Sequence, residues 1–135
     1  MDVDIALLKK LRKSSRVDVV LASGCYLPFR NCSFDNIVFH DSLHHLKSPE
    51  IGIMEACRVL KRGGRLFVFD FNLERVTIKA LAFLEKLVGF PAKFLGRKTL
   101  ISLLKNCLRI IEEKENWLGT LKILGVKPYC SAKAT

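Results

Sequence analysis

No apolar run in this chain reaches the roughly 18 residues that a membrane-spanning helix requires. The first ten residues, MDVDIALLKK, are acidic and then amphipathic, which is not the pattern of a secretory leader. Paired Cys-x-x-Cys spacing is missing too. The five cysteines, Cys25, Cys32, Cys57, Cys107 and Cys130, are an odd number scattered singly, and the Cys and His spacing fits no zinc signature. These absences predict reduced thiols in a cytoplasmic protein with no bound metal. Repeats, low-complexity tracts and interdomain linkers are lacking as well. Charge is unbalanced, with 23 Lys and Arg against 13 Asp and Glu and a formal net charge of +10. A nucleic acid or an anionic membrane would suit that sign. The basic residues are nevertheless dispersed, with a modest concentration at residues 9–16 and no basic stripe interleaved with aromatics. A basic, solvated surface is the simpler reading, and a nucleic-acid partner is disfavoured.

What is present is a chain able to bury a core. Half of the 135 residues are apolar, and a single domain of this length removes roughly two-thirds of its unfolded surface from water. We place that domain at residues 1–128 and read residues 129–135 as a frayed tail. The most informative stretch covers residues 27–72. Within it, residues 34–39 form a short, apolar, β-branched run that predicts a buried strand. Ser48 caps a helix, Pro49 suits its first position, and Glu50 suits the positive end of its dipole. Ile51, Met54, Ala56, Val59 and Leu60 then recur at helical spacing, and Gly63 is predicted to end the helix in the left-handed conformation. Residues 66–71 predict a second buried strand. Strand, helix and strand in this order make a right-handed βαβ unit with parallel neighbours.

On the N-terminal side, residues 5–13 predict an amphipathic helix, residues 17–22 a buried strand and residues 23–33 a loop. On the C-terminal side, residues 74–88 are helical by pattern, and Gly89-Phe90-Pro91 breaks the helix. Thr99 is the predicted N-cap of a helix over residues 100–107. Residues 108–113 and 118–126 predict an antiparallel hairpin at the sheet edge, turning at Glu115-Asn116.

The central stretch carries an ordered set of motifs. Leu27-Pro28-Phe29 is followed by Phe34-Asp35, by Leu43-His44-His45, and by Glu55-x-x-Arg58-Val59-Leu60-Lys61-x-Gly63-Gly64 ahead of a strand. This order resembles the class I S-adenosylmethionine-dependent methyltransferases, in the branch of quinone-biosynthesis and other small-molecule enzymes. The resemblance covers residues 2–128 and the later two-thirds of such a domain. It implies a Rossmann-like α/β fold with sheet order 3-2-1-4-5-7-6. It also implies methyl transfer from S-adenosylmethionine to a small molecule. Residues 76–94, apolar and amphipathic, lie where relatives line or cover the substrate, which suggests an apolar acceptor such as a quinone or lipid precursor; core packing explains them equally well. The family's glycine-rich E/D-x-G-x-G-x-G loop has no counterpart in these residues. The expectation is a domain truncated at its N-terminus, lacking the first strand and most of the second. Its strand at residues 34–39 would be an unpaired edge, open to a partner chain or to self-association. Cofactor binding by the isolated chain is then expected to be weak or nil. Two rival readings are an inactive methyltransferase-like interaction subunit and a basic nucleic-acid-binding or RNA-methyltransferase remnant.

The resemblance assigns cofactor contacts to Asp2, Ser23, Gly24, Cys25, His40 and Asp41. Asp2 would accept hydrogen bonds from ribose hydroxyls. Ser23 stands where relatives often have Asp against the adenine amino group, and Gly24 and Cys25 would present backbone near the ring. His40 and Asp41 end the central strand, on the side where open α/β sheets hold ligands. The catalytic candidates are His44 and His45. One of them lines the substrate pocket as a general base, or both are structural. Phe34, Asp35, Glu55 and Arg58 read as structural: a core side chain, a partner for backbone amides, and a surface pair three residues apart on a helix.

Overall fold

Ser48 sets where the central helix begins. Its backbone is extended, its hydroxyl accepts the Ile51 N–H at 3.3 Å, and Pro49 takes the first helical position. The helix, α2 (Pro49–Val59), links two parallel strands, β1 (Phe34–His40) and β2 (Leu60–Phe71). The computed structural model describes residues 4–14, 17–72, 74, 76–89, 93 and 95–129. Asp2, Phe90, Pro91 and Cys130 lie outside the described residues, as does nearly all of the predicted tail.

The remaining elements are α1 (Ile5–Ser14), α3 (Val76–Val88), α4 (Arg97–Lys105), β3 (Arg109–Glu115) and β4 (Thr120–Val126). The sheet order is β1-β2-β4-β3, with β4 antiparallel to both of its neighbours. That is the 4-5-7-6 part of the order implied by the resemblance. The βαβ unit and the edge hairpin both form, but β1, expected to be buried, is mostly exposed because it lies at the sheet's edge. β1 is the other edge of the sheet, and its residue Val38 is 57% exposed.

Several boundaries differ from expectation, each for a visible reason. Helix α2 stops at Val59, not at Gly63, because Leu60 is already extended and pairs with Phe34. Gly63 does adopt a φ of +75°, but inside β2, where residues 61–64 bulge between the Phe34–Leu60 and Asn36–Arg65 pairs. Its N–H donates to the Lys127 carbonyl, and a Cβ at the adjacent Gly64 would sit 2.8 Å from the Lys61 oxygen. Residues 17–22 form no strand. Leu21 alone makes a bridge, and Val17 and Leu21 are exposed, since a β-branched run without a full ladder beside it has nothing to hold its register. Thr99 lies inside α4 rather than before it. Gly96 is the cap residue, and the Asn72 side chain accepts the Arg97 N–H at 3.0 Å. The hairpin turn runs over residues 116–119, with the Asn116 carboxamide accepting the Thr120 N–H and Gly119 at a φ of +89°. Asp35 pairs with Lys61 Nζ at 2.9 Å instead of with backbone amides.

Helices α2 and α4 pack on one face of the sheet. Leu43, Ile53, Ala56, Leu60, Leu66, Val68, Leu100, Leu104, Leu121 and Ile123 form the core between them. The contact brings the Cα atoms of Cys57 and Cys107 to 6.3 Å, within reach of a bridge, and the two cysteines are joined as a disulfide. This corrects the expectation of wholly reduced thiols. Cys25 and Cys32 are free. Glu55 and Arg58 do pair, and the pair does more than decorate a surface. Glu55 accepts the Leu27 N–H, and Arg58 donates to the Leu27 and Phe29 carbonyls and to Asn31, so the two clamp the loop ahead of β1.

Candidate functional site

Parallel pairing brings the carboxyl ends of β1 and β2 together, with His40 opposite Phe69. The next residue, Asp41, donates its N–H to the Phe69 carbonyl at 2.9 Å and turns the chain with a φ of +46°, a region a non-glycine residue seldom adopts. A short 3₁₀ turn, Leu43–His45, follows, and Leu43 is buried in the core. With Leu43 seated, His44 is carried inward beside Asp70.

Asp70 is where it is because of strand periodicity. In β2 the side chains of Leu66, Val68 and Asp70 point to the helix-covered face, so the alternation places a carboxylate in the core. A buried carboxylate is costly without partners. It has three here. Asp70 Oδ1 lies 2.5 Å from His44 Nδ1 and accepts the Phe71 N–H at 2.8 Å, while Oδ2 accepts the His44 N–H at 3.2 Å. His44 and Asp70 are 4% and 3% exposed. When Nδ1 carries the proton donated to Asp70, the neutral ring has its basic lone pair on Nε2. His45 is exposed, with its ring 4.1 Å from that of His44. Sequence reasoning named both histidines and missed Asp70. The signal was available, since LFVFDF carries a single acid on the buried parity of an apolar strand.

The pair lines a cavity of about 10 Å³ with Leu43, Phe71, Lys93, Leu95 and Leu100, room for about one water. Lys93 donates its N–H to the His44 carbonyl at 2.7 Å, so the segment after α3 returns over the pair. A wider, open groove of about 680 Å³ lies along α4 and β3, lined by Glu74, Arg97, Ile101, Lys105 and Glu113 among others. It shares no residue with the dyad cavity, and Glu113 already engages the Arg97 guanidinium. Convergent buried polar groups, not width, mark the His44–Asp70 cavity as the candidate site.

Of the predicted cofactor residues, His40 and Asp41 lie at the carboxyl end of β1, and Ser23, Gly24 and Cys25 form a turn beside the start of α2. His40 and Asp41 are exposed and face each other, Nδ1 to Oδ2, at 3.2 Å. Ser23 Oγ accepts the Cys25 N–H at 3.2 Å, and the buried Cys25 thiol donates to the Ser48 carbonyl at 3.4 Å, docking this turn on the start of α2. A Cβ at Gly24 would come within 2.7 Å of Leu46 Cδ2, so a larger residue there would make that side chain shift. Asp2 lies outside the described residues, and its role is untouched by this geometry. Among the described residues, no three His, Cys, Asp or Glu side chains are grouped to hold a metal.

The methyltransferase domain family matches residues 1–68 of the chain. A demethylmenaquinone methyltransferase of Clavibacter sepedonicus is 34% identical over 70 residues, 52% of this chain and 29% of that protein. The ubiquinone/menaquinone biosynthesis C-methyltransferase UbiE of Rhizobium etli is 36% identical over 64 residues, 47% of this chain and 25% of that protein. The chain thus spans about a quarter of the length of these two curated relatives. Among solved structures, it superposes on a Thermotoga maritima S-adenosylmethionine-dependent methyltransferase with a TM-score of 0.78 at 21% identity, covering 93% of this chain and 70% of that one. The methyltransferase of a Haloferax volcanii complex with the Trm112 methyltransferase activator gives a TM-score of 0.81 at 14% identity, covering 94% and 70%. The family match over half the chain, the quinone-enzyme relatives and the shared fold agree: the chain belongs to the class I S-adenosylmethionine-dependent methyltransferases.

Proposed function

We propose that this chain transfers a methyl group to a small, apolar acceptor, with His44 removing the acceptor's proton and Asp70 positioning and charging the imidazole. The observation that carries this reading is the buried His44–Asp70 pair at the carboxyl end of the parallel strands. Asp70 accepts Nδ1–H, so that Nε2 is the ring's basic atom toward a hydroxyl or an activated ring carbon, and stabilises the imidazolium that forms. The two quinone-biosynthesis relatives support a phenolic or quinol-like acceptor. The residues that would hold the donor are Ser23, Gly24, Cys25, His40 and Asp41, with Asp2 preceding them. They suit a polar ligand, since His40 and Asp41 present exposed polar groups where the strands end. Bound S-adenosylmethionine supplies an activated methyl group on a sulfonium. The protein's own task is then orientation, exclusion of water and proton removal. The small cavity means that Lys93 and Leu95 must move aside to admit any acceptor larger than water.

The test is transfer of labelled methyl from S-adenosylmethionine to a set of phenols and quinols. It is run with the chain alone and with an added polypeptide carrying a glycine-rich strand and helix. Transfer is expected, with His44→Gln slower by about 10²–10⁴-fold while the variant still melts cooperatively. Equal rates for His44→Gln would remove the base role. Absence of both transfer and cofactor binding in either preparation would remove the function.

A second reading rests on β1. Its open edge and exposed Val38 suit strand pairing with a partner chain or a second copy. In that role the chain would be an inactive interaction subunit. Light scattering decides it: a monodisperse monomer that gains no partner from the glycine-rich polypeptide would sink it.

A further inference from the structure

We propose that the outer face of α3 docks on an anionic lipid bilayer. Phe83, Leu84, Leu87 and Val88 are 66%, 57%, 68% and 66% exposed. They fall at positions i, i+1, i+4 and i+5, one contiguous face of the helix. Ile78 points inward at 5% exposure, and the helix's single acid, Glu85, has its Oε2 buried. Lys79 and Lys86, both exposed, lie four residues before and three after Phe83, on the flank of the apolar face. The outward surface therefore combines large apolar side chains with cations and presents no acid. Soluble proteins seldom leave such a patch open without a use.

Charge selects the occupant. The chain is +10 overall, so an anionic surface attracts it and the two lysines add locally. A second copy docking through the same face would set Lys79 and Lys86 against their own equivalents, since a two-fold contact is self-complementary. Among the described residues no helix is long and apolar enough to cross a membrane, and α3 has 13 residues. The fitting geometry is a helix lying in the interface with Phe83 and Leu87 among the acyl chains. Both ends of the arm lead to the dyad, because Asn72 is buried ahead of it and Lys93 binds the His44 carbonyl after it. On the methyl-transfer reading, a bilayer-dissolved acceptor would arrive beside His44. The docking itself does not depend on that reading.

The experiment is flotation of the full chain with phosphatidylcholine vesicles containing about 30% phosphatidylglycerol, and with phosphatidylcholine alone, across a salt series. No cofactor is present, so the outcome is independent of methyl transfer. Binding to the anionic vesicles is expected. Phe83→Ser/Leu87→Ser should lower it by about a hundredfold, with unchanged thermal melting because both sites are exposed. Lys79→Ala/Lys86→Ala should lower it by roughly tenfold or more on anionic vesicles. Three results would overturn the proposal: no binding to anionic vesicles at low salt; equal binding by the serine variant, which would mean bulk charge alone; or a dimer or hetero-complex that the serine variant abolishes while vesicle binding is nil.

Discussion

The two faces of the sheet are equally apolar in sequence and differ sharply in burial. Along β2, Leu66, Val68 and Asp70 turn to α2 and α4 and are at most 3% exposed. Phe67 and Phe69 turn the other way and are only half-buried, beside an exposed Val38 on β1. A parallel pair such as β1–β2 is ordinarily covered on both faces. The covered face holds the fold together and ends in the dyad. The open face and the β1 edge are the part the molecule offers to something else. Stability therefore sits on the covered side of the strands, and substitutions should separate the two sides.

The largest effect is expected at the end of the covered row. Asp70→Ala removes the carboxylate that His44 Nδ1 and the His44 N–H engage and should cost about 3–5 kcal/mol in urea unfolding, with methyl transfer lost as well. Leu66→Ala, one row deeper in the core, should cost about 2–5 kcal/mol. On the open face, Val38→Thr should change stability by less than about 0.5 kcal/mol. A Val38→Thr cost matching that of Leu66→Ala would mean that the β1 edge is covered in solution, and the comparison would collapse. Between these lies Arg58→Ala. Removing its bonds to Glu55 and to the Leu27 and Phe29 carbonyls should lower stability by an intermediate amount and free the loop ahead of β1, visible as faster amide exchange at Leu27.

The elements with local signals were readable from the sequence. Ser48-Pro49 marked the start of α2, alternation and β-branching marked β1 and the hairpin, and the ordered motifs gave the family and the sheet order. What was not readable depends on pieces distant in the chain. The cap of α4 comes from Asn72, 25 residues before Arg97, so Thr99 looked like the better local candidate. The disulfide needs α2 and α4 to meet, which Cys57 and Cys107, 50 residues apart, do not announce. Residues 17–22 have strand composition, but a strand also needs a neighbour. Of the site, His44 was visible as one of two histidines. Only the pairing with Asp70 distinguishes it from His45, and that pairing rests on a strand parity 26 residues away.

The smallest effect sharpens the comparison through pH. Glu55 sits below its ordinary carboxyl value of 4.5, first because Arg58 hydrogen-bonds it and then because the Leu27 N–H does so, against some desolvation. Glu50 is lowered too, chiefly by the Ser48 hydroxyl. A depressed folded value means that the folded state binds the proton less readily than the unfolded chain. The stabilisation is therefore present in full above about pH 4.5 and is lost as the pH falls through the lower folded values. The Arg58 guanidinium is raised by the same Glu55 bond, and its share would be lost only in strong alkali. Both carboxylates serve the outside of α2, one at its start and one at the loop clamp. Acid should thus loosen the loop and the helix start before it touches the core. Melting curves taken from pH 7 down to about pH 3 should show a shallow loss of stability beginning near pH 4.5 in the wild type, and a shallower one in Glu55→Gln, which has no proton to gain at that position. If Glu55→Gln follows the wild-type curve throughout, protonation of Glu55 contributes nothing measurable and the clamp's place in the acid response falls.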